Sequence, residues 1–249
     1  MRNVAILFRR ELLAYFCSPI AYIVGVCVLG LTGISFNMIV TILTEGPSDY
    51  TPLMWFFNGM FTWIILLVVP PVITMRLFAD EKRTGTIEAL MTAPLRDAEY
   101  VAAKFLSGLF FFCLIWLPTL AYVWVLRHFS HDKTPLDIGP VAGGYFGLFM
   151  MGMLLVAIGC MASASTRNQI IAAVISFAMS CGLFFAGIYF YLNAAGQSRE
   201  FFESFSILAH MQELSRGVVE WKRVVFYFTG TGFFLFVTHR IVQSRQWKT

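Results

Sequence analysis

Six apolar runs, each about the length a helix needs to cross the ~30 Å hydrocarbon layer of a bilayer, constrain this chain more than any other feature. They lie at 20–43, 53–75, 104–126, 141–163, 169–192 and 222–241. Inside lipid every backbone N–H and C=O must be satisfied within the protein, so runs of this length are helices and not open strands. The sixth is the weakest, diluted by Lys222, Arg223 and several Gly and Thr. Composition agrees: of 249 residues, 58% are hydrophobic and 13% charged, which is more apolar surface than one soluble core can bury. The expectation is an all-α, polytopic membrane protein with six transmembrane helices, forming a single unit over 1–249.

An even number of spans puts both termini on one face, and charge selects the face. With the termini in the cytoplasm, only Arg127, Lys133, Arg199, Arg216, Lys222 and Arg223 of the 18 basic residues lie outside, as the positive-inside rule requires. Glu45 and Asp49 mark the first outer loop. A net charge of +4 is too modest to imply nucleic acid. Arg2, Arg9 and Arg10 ahead of an apolar run look like a secretion signal, but the run is too long and no small-x-small cleavage site follows, so it is read as retained. Over 2–17, Arg2, Arg9 and Arg10 stand among Leu, Phe and Tyr in a stretch of helical character, which reads as an interfacial helix. A frayed leader to the first span is the alternative. The five cysteines, 17, 27, 113, 160 and 181, show no CxxC spacing and read as small buried hydrophobes.

Between the second and third runs lies the polar stretch from Arg76 to Pro94. From Asp80 to Pro94 it predicts a short amphipathic helix, with Thr84 and Thr86 able to cap its first turn and Ile87, Leu90 and Met91 sharing one face. Asp80, Glu81, Lys82, Arg83 and Glu88 mix both signs of charge. A lipid-surface helix is usually basic, so a groove on a partner is the better fit. Just upstream, Pro70-Pro71 removes two helix donors. A kink that serves as a hinge and a plain helix end both account for it.

Glu81-Lys-Arg-Thr-Gly-Thr-Ile-Glu-Ala-Leu-Met-Thr-Ala-Pro94, with Ile73-Thr-Met-Arg-Leu-Phe-Ala-Asp-Glu81 running into it, resembles the segment that ABC-2 exporter permeases carry between their second and third membrane helices. The wording is most similar to the gliding-motility-associated branch, and Leu117-Pro-Thr-Leu120, Ser215-Arg-Gly-Val218 and Ser244-Arg-Gln-Trp247 extend the likeness over nearly the whole chain. The resemblance implies a cytoplasmic coupling helix that seats in an ATPase subunit, with Asp80, Glu81, Arg83, Glu88 and Leu90 as docking contacts. It further implies a permease pair, of two copies or two related chains, on two ATPase subunits in a bacterial inner membrane, with room for an extracytoplasmic accessory subunit. ATP and Mg would be bound by the partner, leaving no cofactor in this chain.

The motifs that are missing point the same way. No G-x-x-x-x-G-K-[ST] is present to cradle ATP phosphates and no H-E-x-x-H to hold zinc. His128, His131 and Asp132 form the only local cluster and are explained by loop polarity. Few ionisable residues interrupt the spans, against a proton- or ion-coupled carrier. In the outer stretch 193–221, Leu208, Met211, Leu214 and Val218 fall on one helical face and His210, Glu213, Arg216 and Glu220 on the other flank. This predicts an amphipathic helix over 207–220, lying re-entrant-like against the outer mouth with Leu208, Met211 and Leu214 inward as a gate. An anchor that recruits an ATPase for motility or envelope construction without moving cargo is the principal alternative function.

Overall fold

A computed structural model describes residues 2–45, 51–85, 96–129, 137–193 and 205–244. Among them every regular element is helical. An N-terminal helix α1 (Arg2–Phe16) precedes α2 (Pro19–Glu45), α3 (Pro52–Asn58), α4 (Met60–Thr74) and the short α5 (Ala79–Thr84). Then come α6 (Asp97–Trp116), a 3₁₀ turn (Leu117–Thr119), α7 (Leu120–Phe129), α8 (Ile138–Ser165), α9 (Gln169–Asn193), α10 (Ile207–Leu214) and α11 (Trp221–Gln243). Six stretches within these are long and apolar enough to cross a membrane, so the fold is the all-α, six-span architecture that the apolar runs predict.

The helix α8 is the axis of the bundle. Of its most apolar window 83% is buried, against 17% for α11 and 22% for α2 and α9, whose outward residues such as Val26, Val174 and Phe233 are exposed and suited to lipid. Small residues allow this. A Cβ at Gly144 would overlap the Phe57 ring, one at Gly152 the Phe112 ring, and one at Gly159 the Thr74 side chain, so these glycines let neighbours approach closely. Gly143, Gly147, Gly152 and Gly159 of α8 all meet other parts of the same chain and so serve packing within it.

Two spans are less regular than their apolar runs suggest. The second is divided at Gly59, whose extended backbone separates α3 from α4. Thr62 Oγ1 donates to Phe56 O at 2.6 Å and Asn58 Nδ2 to Ser215 Oγ at 3.0 Å, supplying side-chain bonds where the helical ladder is interrupted. The third begins at Asp97, earlier than its apolar run, and tightens into the 3₁₀ turn at Pro118, which has no N–H to continue the ladder. Pro70 and Pro71 do not break α4: the helix runs through both and ends at Thr74, whose hydroxyl donates to Pro70 O at 2.7 Å.

Of the cysteines only Cys160 is buried. Cys17 and Cys27 are exposed and Cys113 and Cys181 half-buried, because the outward faces of membrane helices turn to lipid and need no protein cover.

Candidate functional site

At the face of the bundle that carries the N-terminus, the chain leaves α4 through a tight turn, and Ser163 of α8 holds that turn. Its Oγ accepts from the N–H groups of Phe78 and Ala79 at 3.0 and 3.1 Å and donates to Met75 O at 3.1 Å. Three main-chain groups that a helix break would orphan are thus satisfied by one buried hydroxyl. Lys82, buried in α5, donates to Ala164 O at the end of α8, where cations suit the carbonyl-rich terminus. Gly85, at φ 73°, ends α5 in the left-handed region that glycine enters without strain. Thr84 is therefore the last residue of α5 and not a cap, and the helix expected to run on from Asp80 to Pro94 is interrupted at Gly85. Glu88, Leu90 and Pro94 lie outside the described residues.

Around this turn an ion cluster joins three helices. Lys104 of α6 is almost fully buried, with Nζ 3.0 Å from Glu81 Oε1 and 3.3 Å from Glu11 Oε1. It also donates to Leu77 O and sits over the Phe78 and Tyr100 rings at 5.4 and 5.2 Å, a favourable place for a cation. Arg10 of α1 closes the set, 2.7 Å from Glu81 and 2.9 Å from Glu11. Tyr100 donates its hydroxyl to the second oxygen of Glu81. Burial disfavours the Arg10 charge, but Glu11 and Glu81 outweigh it and raise its pKa. Two bases and two acids thus neutralise one another, the condition for keeping charge out of water. Nearby, Tyr15 stacks on Phe111 at 4.7 Å and donates to Ile73 O at 3.0 Å. Burial raises its phenol well above the ordinary value, so it remains a neutral donor.

Of the residues expected to meet a partner, Glu81 faces inward into this cluster. Arg83 and Asp80 stay at the surface, with side chains 66% and 41% exposed, and pair at 3.1 Å. Asp80 also accepts from Gln169 Nε2 of α9 at 2.6 Å. Sequence reasoning missed Lys104 and Glu11 as cluster members. The available signal was Lys104 within an apolar run, seven residues and thus two turns after Asp97.

At the opposite face α10 packs into the bundle, with Ile207, Met211 and Leu214 buried and Leu208 half-buried. Gly143 of α8 lies under the Leu214 carbonyl, where a Cβ would clash. Ser206 caps the helix start, accepting from Ala209 N. The helix stops at Leu214 and does not continue to 220: Gly217, at φ 81°, bonds back to Leu214 O at 2.9 Å and Val218 N to Glu213 O at 3.2 Å, the paired bonds of a glycine-terminated helix. Val218 is accordingly exposed. His210, expected on the polar flank, is buried with Nδ1 3.0 Å from the Tyr227 hydroxyl, because α11 covers that flank and supplies a partner. Glu213 pairs with the buried Arg223, while Arg216 and Glu220 are exposed. His128 stacks on Trp124 at 5.4 Å. His131 and Asp132 lie outside the described residues.

Five apolar spans around a sixth, buried one, with the charges of the described residues at the two faces, define a multi-pass helical membrane protein. A family model described as ABC-2 family transporter protein matches residues 33–241, most of the chain, and the chain belongs to that family. Such membership implies a membrane setting and the role of a transporter permease beside an ABC ATPase. No curated protein matches the sequence.

Proposed function

We propose that this chain is the permease subunit of an ATP-driven exporter in a bacterial cytoplasmic membrane, both termini inside, paired with a second copy or a related permease on two ATPase subunits. The reading places it in the gliding-motility-associated branch. The partner binds ATP and Mg; the permease passes on motion. Closure of the ATPases displaces the segment 80–94, in which Arg83, Asp80, Glu88 and Leu90 make the docking contacts. Glu81 links that segment to the rest.

The observation that supports this most is the buried cluster of Lys104, Glu81, Glu11 and Arg10. It ties the start of the coupling segment to α1 and α6, so that a push there moves three helices together and is not absorbed by a loose loop. Pro70 and Pro71, through which α4 runs unbroken at rest, serve as the hinge of that motion. The opposite face opens when Leu208, Met211 and Leu214 leave their seats.

The test is co-purification of the cognate ATPase with Arg83→Glu and Leu90→Asp variants. Both are expected to insert normally and to recover less than a tenth of the ATPase that the native chain recovers. Native recovery with both variants would place docking elsewhere. Native recovery with no cargo-stimulated hydrolysis would support the anchor in place of the exporter.

A further inference from the structure

A cleft of about 420 Å³ opens at the N-terminal face between α1, the start of α2, the end of α4 and α6, within the ~300–1,000 Å³ typical of small-ligand sites. Its two ends differ in chemistry. The apolar end is formed by Ala21 and Val24 of α2 with Val72 and Phe111. At the polar end, Arg10, Glu11, Glu81 and Lys104 are neutralised by one another. Arg76 is different. Its Nη1 donates to Ser18 Oγ at 2.7 Å and its Nε reaches Gln169 Oε1 at 3.5 Å, both neutral groups, and among the described residues no carboxylate pairs with it. The residue is exposed at the cleft.

We infer that this cleft holds one phospholipid of the adjoining leaflet, its phosphate on Arg76 and its acyl chains leaving along Ala21, Val24 and Val72. A guanidinium offers five N–H donors in a planar fork that matches phosphate oxygens, and Nη2 of Arg76 has no bond within the described residues. Asp80 lines the same cleft; its Oδ1 accepts from Gln169 and Arg83, which leaves Oδ2 for the ammonium of a phosphoethanolamine head. The charged lining residues are three bases and three acids, Arg10, Arg76 and Lys104 against Glu11, Asp80 and Glu81; outside the cleft the one charge that meets Asp80 among the described residues is the exposed Arg83, a surface pair that is worth little, so a zwitterionic head fits better than one with net negative charge. A soluble phosphate compound would leave the apolar end uncovered. Ala21 and Val24 precede the matched residues 33–241, so part of this cleft lies outside what the family match covers. The inference needs only that the helices stand in a bilayer, and it is independent of the export reading.

The experiment is native mass spectrometry of the full chain, delipidated in mild detergent and titrated with dioleoyl phosphatidylethanolamine. One tightly held lipid per chain is expected, with Arg76→Gln lowering its occupancy at least tenfold. Val24→Trp, which fills the apolar end, is expected to do the same, and Arg216→Gln on the opposite face to change nothing. On the native chain, tail-less glycerophosphoethanolamine in tenfold excess should not displace the lipid, and phosphatidylglycerol should compete several-fold less well. Full occupancy in Arg76→Gln, or equal binding of diacylglycerol, would overturn the phosphate assignment. Displacement by the tail-less head would make this a site for a soluble phosphate compound. Equal competition by phosphatidylglycerol would overturn the zwitterionic head. If Arg76→Gln loses its helical circular dichroism, the competition arms on the native chain decide.

Discussion

Lys104 is the residue on which the N-terminal face depends most. An ammonium 1% exposed survives burial because Glu11, Glu81 and the Leu77 carbonyl surround it. Removing one partner of a buried ion set costs about 3–5 kcal/mol, since the opposite charges are left unpaired. Lys104→Met is therefore expected to lower the melting temperature in detergent markedly. Adding Glu81→Gln should restore part of the loss, because Arg10 and Glu11 then balance alone. If the double variant melts no higher than the single one, charge balance is not what holds this face together. At the residue level only the position of Lys104 gave a signal, and an ambiguous one: a lone lysine early in an apolar run reads equally well as one more positive charge on the cytoplasmic side. Its partners stand at positions 11 and 81, and only packing of α1 beside α6 joins them.

At the scale of the element, α10 shows what periodicity can and cannot supply. Leu208, Met211 and Leu214 recur at helical spacing, and the structure buries Met211 and Leu214 and half-buries Leu208. The polar flank was misjudged at His210, because which flank meets water depends on where α11 lies and not on α10 itself. In a variant lacking native cysteine, Cys at Gln212 should react rapidly with a membrane-impermeant thiol reagent, whereas Cys at Met211 or Leu214 should react at least tenfold more slowly in the resting protein. Equal rates at all three positions would show that α10 does not stay seated. Gly143 sets that seating, since any side chain there meets the Leu214 carbonyl.

For the whole molecule, the energy source is the open question that chemistry answers most directly. The sequence has no phosphate-cradling loop, so the purified chain is expected neither to bind nor to hydrolyse ATP, and activity should appear only with an added ATPase. Saturable hydrolysis by the isolated chain, reproduced in independent preparations, would falsify the permease reading. The centre of the bundle is α8, apolar and closely packed, and the charges of the described residues lie at its two faces.

What the sequence determined by itself was the number of spans and their approximate positions, because lipid demands about 20 apolar residues per crossing wherever they sit in the fold. It also placed Met211 and Leu214 on the inward face of α10, because that spacing is written at short range, but not where the helix ends. Tertiary structure alone decided that α8 is the axis, since a glycine in an apolar run names no neighbour until the fold brings one, as it brings the Phe112 ring to Gly152. It alone decided that Glu11, Glu81 and Lys104 meet, that Arg223 pairs with Glu213, and that Arg76 faces a cleft. The physical reason is common to all of these: ion pairs, cavities and close helix contacts are made between segments tens of residues apart, and periodicity within one segment carries no information about its partner.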